Sequence, residues 1–416
     1  MAIDKLYIEN FKGIKTGQWI DIKPITVFIG ANSSGKSSCI HALACLSQTL
    51  KVPNNSTPIV LDDEYANVHL GRFIEVIHSK SYQDLMSLGV SLKNQPYIEL
   101  DEDRSVTEKT GDIEAIYRFK CSQRTQDIRI ENAQFSVGKH IYLAKFVAGK
   151  YTLTYKNEST KVGVSLKAGF LFDPEENMYR SGVDFKDFVP FFNMQGRIAE
   201  GLRNSFYLGP FRDSPRRKYE TRGANPTEVG TMGEAAITML ANESIQTQKR
   251  PHMHQVANWL KQMGLAQTMK INRVGQSDLV GIKLGLKDGE AFPIADLGYG
   301  LSQIMPVLTQ CSFAQSNSTL LFEQPEIHLH TKSSRELASV FIDTAINKQA
   351  NIVLETHSPD LVKQFFIELR NGTFNKDDFV LYKVIRKGKE TCIKEIKVDA
   401  ENDFDVYENW ESGISI

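Results

Sequence analysis

Apolar positions along the chain change their spacing several times, and each spacing predicts a different element. Residues 4–14, from Asp4 to Ile14, alternate apolar and polar, which predicts an edge strand with one buried face. Ile25 to Ile29 is an unbroken apolar run, as in a buried parallel strand, and Ser38 to Leu46 reads as a helix. Between about residues 97 and 165, the β-rich runs Ile113–Phe119, Ile128–Ile130, Ile141–Leu143 and Tyr151–Tyr155 are separated by polar or glycine-containing breaks, predicting an antiparallel meander. From about 170 to 265 the spacing turns mostly helical, over Phe185–Leu202, Glu234–Leu240 and His254–Met263, with a charged, proline-containing loop at Gly209–Pro226. A strand returns after Leu279, then a glycine turn and a helix from Ser302. Near the end, Phe379–Ile385 and Ile393–Val398 predict a hairpin around Lys387, Gly388 and Lys389. No repeat, low-complexity tract or sustained heptad array is present.

The strand at 25–29 and the helix after it flank Gly30-Ala31-Asn32-Ser33-Ser34-Gly35-Lys36-Ser37, a complete G-x-x-x-x-G-K-[ST] loop. Gly30 and Gly35 allow the backbone N–H groups of Asn32, Ser33, Ser34 and Ser38 and their neighbours to curl around phosphate oxygens, at a helix N-terminus that faces the same anion. Lys36 can reach the β- and γ-phosphates, and the Ser37 hydroxyl can ligate Mg²⁺. A nucleoside triphosphate is therefore the expected ligand.

Composition narrows the partners rather than the fold. The chain has 416 residues and a net charge of -1, so nothing global draws it to nucleic acid or anionic membrane. Cys39, Cys45, Cys121, Cys311 and Cys392 are scattered, as free thiols of a reducing compartment are. Asp4, Lys5 and Glu9 interrupt any signal-peptide core, and no apolar run approaches the ~20 residues that span a bilayer. A cytoplasmic protein with no membrane contact is expected.

Two later segments supply what a phosphate loop lacks. Thr319 to Phe322 is an apolar strand ending in Glu323, Gln324, Pro325 and Glu326, where a Walker B carboxylate belongs; Ile352 to Glu355 delivers His357 at its C-terminal end. Ligands of α/β sheets bind at such strand ends. Between the phosphate loop and the Walker B strand, Leu297-Gly298-Tyr299-Gly300-Leu301-Ser302-Gln303 opens a helix and offers a second phosphate-ready N-terminus.

On these motifs the chain resembles the ABC-type ATPases of the RecF/SMC/OLD-like branch, and Tyr207 to Arg217 is similar to a stretch of stand-alone OLD-like bacterial ATPases. The resemblance implies one ABC-type domain over 1–416: a P-loop NTPase core with a mainly parallel sheet, an antiparallel β subdomain and a helical signature subdomain. Residues 1–165 would carry the first part of the core and the meander, 170–310 the helical and signature lobe, and 315–416 the Walker B and switch part. It further implies ATP as the nucleotide and a head-to-tail homodimer or higher homo-oligomer. Gly300, Ser302 and Gln303 would meet the partner's γ-phosphate, Ser37 and Glu323 would hold Mg²⁺, and His357 would be the switch histidine. Phe11 and Lys12 are candidate base contacts.

The chain departs from that family at Gln324, where a glutamate normally polarises the attacking water. A glutamine orients water but takes no proton, and losing a positioned base costs about 10²- to 10⁴-fold. Glu326 is the candidate substitute if the turn after Pro325 brings it round. Other signals have two readings each. Glu326, His328 and His330 are D-loop contacts or, on a strand, metal ligands on one face. Arg212, Arg216, Arg217, Lys218 and Arg222 grip DNA or nucleotide phosphates, or form a salt-bridged loop with Asp213 and Glu220. His252 and His254, and the lysines about Gly388, read as solvated loops.

The stretch of about 260 residues between the phosphate loop and the signature has no heptads, unlike an SMC coiled coil, and about 59 residues follow His357 without an acidic nuclease cluster. The expectation is an ATPase without its own nuclease that controls a separate effector, a nuclease or toxin, as in two-protein anti-phage systems such as Septu or PARIS. The competing expectation is a RecF-like DNA clamp in repair. Slow hydrolysis follows from Gln324: steady-state turnover of the isolated protein should stay below ~1 s⁻¹ in a phosphate-release assay.

Overall fold

A computed structural model describes residues 2–53, 55, 57–155, 160–175, 184–221, 225–275 and 277–397. In chain order these form β1 (Lys5–Glu9), β2 (Gln18–Asp21), β3 (Ile25–Ile29), α1 (Ser37–Lys51), the short α2 (Phe73–Val76), β4 (Met86–Leu100), β5 (Val106–Cys121) and β6 (Ile128–Val137). There follow β7 (His140–Val147), β8 (Lys150–Tyr155), β9 (Thr160–Ala168), β10 (Leu171–Pro174), α3 (Val189–Arg203), β11 (Ser205–Leu208), β12 (Tyr219–Glu220), α4 (Ala236–Gln246) and α5 (Pro251–Gln262). The last part holds β13 (Thr268–Arg273), β14 (Leu279–Gly285), β15 (Ala291–Pro293), α6 (Tyr299–Ser312), β16 (Thr319–Glu323), α7 (Thr331–Asn347), β17 (Asn351–Glu355), α8 (Pro359–Arg370), β18 (Phe379–Lys387) and β19 (Glu390–Ile396). The result is an α/β fold with a mainly parallel sheet and a large antiparallel one. The chain divides into two compact units, 1–22 with 33–205 and 385–392, and 23–32 with 206–384 and 393–416.

The first unit is built on an antiparallel sheet of order β10-β9-β8-β7-β6-β5-β4-β1-β2. The meander is as expected, though it starts at Met86 rather than near 97. Its turns are short where the backbone permits: Ala148 and Gly149, both at positive φ, join β7 to β8 in two residues, the twist that suits a tight hairpin. The opening strand departs from its reading in one respect. β1 does bury Leu6 and Ile8 on one face, but it pairs with both β2 and β4, so it is an interior strand and β2 is the edge. The 4–14 segment alone could not reveal its distant partner, β4.

Against one face of this sheet lies α3, whose Phe191, Met194, Ile198 and Leu202 recur at helical spacing and are buried. Phe135 sits at the centre, edge-on to Tyr117, Phe172 and Phe191 with ring centroids 5.0–6.0 Å apart.

The second unit carries the sheet of order β11-β16-β17-β3-β18-β19, in which β16, β17, β3 and β18 are parallel neighbours. Such strands are covered on both faces, which is why β3 and β16 are buried at every position and read as continuous apolar runs. The terminal hairpin forms as predicted with Gly388 at positive φ in its turn; its expected last residue, Val398, and Arg222 of the basic loop lie outside the described residues. The helix expected from Ser302 starts three residues earlier, at Tyr299 after Gly298, and runs through Pro306. β13 and β15, which both pair with β14, were not read from the sequence, although Met269 and Ile271 alternate with polar neighbours in β13.

Truncating Phe135 to alanine removes the centre of the aromatic cluster. The expected cost is about 3–5 kcal/mol, read as a lowered urea midpoint of Phe135→Ala against wild type.

Candidate nucleotide site

In the first unit the phosphate loop has the strained backbone its sequence requires. Ser33 and Gly35 take positive φ, and a Cβ at Gly35 would lie 2.5 Å from the Thr391 hydroxyl. Ser34 Oγ is buried and has no partner among the described residues. Helix α1 begins at Ser37 with no side-chain cap and no acid in its first turn, leaving its positive end available to an anion. A buried hydroxyl without a partner, a glycine that admits no side chain and an uncapped helix start fit a bound phosphate chain. Ser37 is half-buried and Lys36 buried.

The tip of the terminal hairpin is exposed at Lys387, Gly388 and Lys389, as read from sequence, but its strands also contact the phosphate loop. The Thr391 N–H donates to the Gly13 carbonyl at 2.7 Å and its hydroxyl donates to the Ser34 carbonyl at 3.0 Å. Arg386 Nη1 reaches the Ser33 carbonyl at 3.4 Å. Beside the loop opens a cavity of about 1420 Å³ lined by Lys12, Ser33, Gly35, Ser38, Arg386 and Lys389 among others. Lys12 lines this cavity, whereas Phe11, the other candidate base contact, is wholly buried. No local signal marked Thr391, whose role depends on two glycines distant in sequence.

In the second unit the ends of β16 and β17 adjoin. Glu323 is buried at 4% exposure, and Tyr207 donates its hydroxyl to Glu323 Oε1 at 2.7 Å. Burial first, then the Glu323 charge, pushes the Tyr207 phenol far above its ordinary range, so it remains a donor. Across the ladder Glu323 is in register with Glu355, a buried carboxylate that the sequence reading passed over as strand. Gln324 turns the chain at φ 44° and donates its N–H to the Glu355 carbonyl.

Glu326 is brought round, but toward the switch segment. Its Oε1 accepts from the Thr356 hydroxyl at 2.6 Å and from the His357 N–H at 2.9 Å. Burial raises its pKa, and those hydrogen bonds oppose the rise. Ser358 then caps α8 by accepting from the Leu361 N–H, with Pro359 at the first turn.

The metal reading of Glu326, His328 and His330 fails because this segment is a turn, not a strand. His328 packs edge-on to Tyr299, ring centroids 5.0 Å apart, and His330 caps α7. Among the described residues no group of three such side chains could hold a metal. In the signature segment, a Cβ on Gly300 would lie 2.4 Å from the His328 carbonyl, so glycine is needed for this close approach. Ser302 is buried in α6 and donates to the Tyr299 carbonyl at 2.7 Å; Gln303 is buried too. In this arrangement the open helix end is Gly298 to Gly300, and Ser302 must leave Tyr299 to donate to a phosphate.

The basic loop resolves toward salt bridges. Arg212 is buried at 4% exposure and donates to the Glu323 and Gln324 carbonyls at 3.1 and 3.2 Å, so it cannot grip DNA. Arg216 pairs with Asp213 at 2.7 Å, and Arg217 pairs in bidentate fashion with Asp296 at 2.6 and 2.9 Å. Lys218 is exposed. His252 lies on α5 rather than in a loop, bonded to Glu243 and stacked on Phe313.

The AAA ATPase domain family matches residues 1–165 and 234–362. The chain belongs to that family. It is an ATPase of the RecF/SMC/OLD-like branch, as the motifs implied. An OLD nuclease of Thermus scotoductus is 19% identical over 409 residues, covering 95% of this chain and 66% of that protein. The chain thus spans just under two thirds of that relative's length. Among solved structures, the SMC head domain from Thermotoga maritima covers 96% of this chain and 100% of its own at 10% identity and TM-score 0.45. An Smc head from Pyrococcus furiosus, solved with the C-terminal domain of ScpA, covers 95% and 96% at 8% identity and TM-score 0.45. Among the described residues no helix is long and apolar enough to cross a membrane.

The Thr391 contact yields a direct test. Thr391→Val keeps the shape between Gly13 and Gly35 but loses the bond to Ser34, so stability should fall by about 1 kcal/mol in urea unfolding. ATP affinity, measured by calorimetry, should fall with it.

Proposed function

We propose that this ATPase is a slow ATP switch: it binds ATP with Mg²⁺, joins a second copy head to tail, and controls a separate effector, a nuclease or toxin, in bacterial anti-phage defence. The whole chain 1–416 acts as one ABC-type ATPase domain. The observation that carries the reading is the pair at the end of β16, where buried Glu323 is followed by Gln324 and not by a second acid. Asn32 to Ser38 hold the phosphates, Lys36 compensates their charge, and Ser37 and Glu323 hold the metal. Bound Mg²⁺ supplies charge neutralisation on the β- and γ-phosphates.

Without a base at 324, the nucleotide persists between turnovers, which suits a protein that must stay assembled while a partner acts. Gln324 orients the water as a positioning glutamine does, and His357 stands at the switch end. For assembly, Tyr299 and Phe211 are 49% and 81% exposed, and His328 is exposed beside Tyr299. Exposed aromatics beside an open helix end suit a second copy that presents phosphate. The effector reading draws on the OLD nuclease relative, which is longer than this chain. The DNA-clamp alternative loses support, since Arg212 is buried and Arg216 and Arg217 are ion-paired.

Three measurements test this. Gln324→Glu should raise kcat by about 10²-fold with little change in KM, in a phosphate-release assay. Lys36→Ala should lose ATP binding by calorimetry and ATP-dependent dimerisation by light scattering. Affinity purification of the tagged chain with Mg-ATP should recover one stoichiometric nuclease-like or toxin-like protein, absent with Lys36→Ala. Recovery of duplex DNA and repair proteins would overturn the effector reading.

A further inference from the structure

The Tyr207 to Arg217 stretch carries chemistry that nucleotide binding does not explain. Its Tyr207 and Arg212 both end on the Walker B turn: one fixes the Glu323 side chain, the other the backbone on either side of Gln324. Taking a guanidinium out of water costs several kcal/mol, and an apolar side chain would fill the same space at less cost. Burial accordingly lowers the Arg212 pKa to about 10, with Glu326 the charge that opposes this.

The valences left over are complementary. One amino nitrogen of Arg212, Nη2, makes both carbonyl bonds, while Nε and Nη1 are buried without a partner among the described residues. Glu326 Oε1 is occupied by Thr356 and His357, while Oε2 is likewise buried without a partner. Gln324, held between them, adopts φ 44°, a conformation that a non-glycine residue keeps only where its surroundings impose it.

We propose that Arg212 is a positioning residue for ATP hydrolysis: it clamps the Glu323–Gln324 turn, which Glu326, two residues further on, ties to the His357 segment. The glutamine that orients water and the histidine that senses nucleotide are then set by one buried cation. The proposal rests on the ATPase activity of the family and adds a residue to it.

The test uses the full chain with Arg212→Lys, Glu326→Gln and the double variant, each checked by thermal unfolding. Lysine retains the charge but not the rigid planar guanidinium whose one nitrogen meets both carbonyls. The expected result is a fall in kcat of about 10- to 100-fold in each single variant, with KM for ATP changed less than about 2-fold. The double variant should be no slower than the worse single one. The ¹³C signal of the His357 ring, identified by its loss in His357→Gln, should move in both single variants while that of His69 stays. Unchanged kcat in Arg212→Lys, losses that multiply in the double variant, or losses that track thermal stability with an unmoved His357 signal would each overturn the proposal. If wild type hydrolyses no ATP, the ATPase reading fails on its own, and the His357 signal alone decides the link to Arg212.

Discussion

Everything chemical in the second unit depends on the parallel register of β16, β17 and β3. Glu323 lies opposite Glu355, and Glu355 opposite Phe28, so the three strands end together at one edge of the sheet. Parallel strands need long crossovers, and here those crossovers carry the helices and loops that complete the site. Because β17 lies between β3 and β16, Thr356 and His357 emerge beside the turn that carries Glu323 and Glu326. A shift of one residue in β17 would turn Glu355 to the opposite face and move Thr356 away from Glu326.

That edge concentrates polar groups where the sheet would otherwise be apolar. Glu323, Glu355, Tyr207 and Arg212 are all buried, and each would be costly alone. They are tolerated because neighbours answer them: Tyr207 donates to Glu323, Arg212 to two carbonyls, Thr356 and the His357 N–H to Glu326. Such a network favours one arrangement of the turn over others, because losing any member leaves a buried charge or donor behind. The first unit uses a different device around the phosphate loop, where Thr391 fits between two glycines that leave no room for a side chain.

Much of this was legible in the sequence, for physical reasons that differ by element. The phosphate loop, β3, β16 and β17 announce themselves because fully covered strands must be continuously apolar and the chemistry must follow at their ends. The meander was legible through alternation and its turn residues. Other features depend on contacts between distant segments, which no local pattern encodes. These include the interior position of β1, the hold of Thr391 on Ser34, and the burial of Arg212 in a loop where Arg216 and Arg217 form surface pairs. The start of α6 was misjudged because Ser302 reads as a helix cap, yet Gly298 occupies that position. The histidines after Pro325 alternate as on a strand only in one dimension; the backbone there turns and separates them.

Glu326, the candidate substitute for the missing acid, is held by its surroundings in a definite way. Burial raises the pKa of Glu326, which by itself would suit a base operating near neutral pH. Geometry argues the other way. One of its oxygens is committed to a hydroxyl and a backbone N–H, and the other is buried without a partner among the described residues. A carboxylate so held joins the turn after β16 to the segment after β17. On the function proposed above, Gln324 would then orient the attacking water without taking its proton, and slow turnover would follow from that.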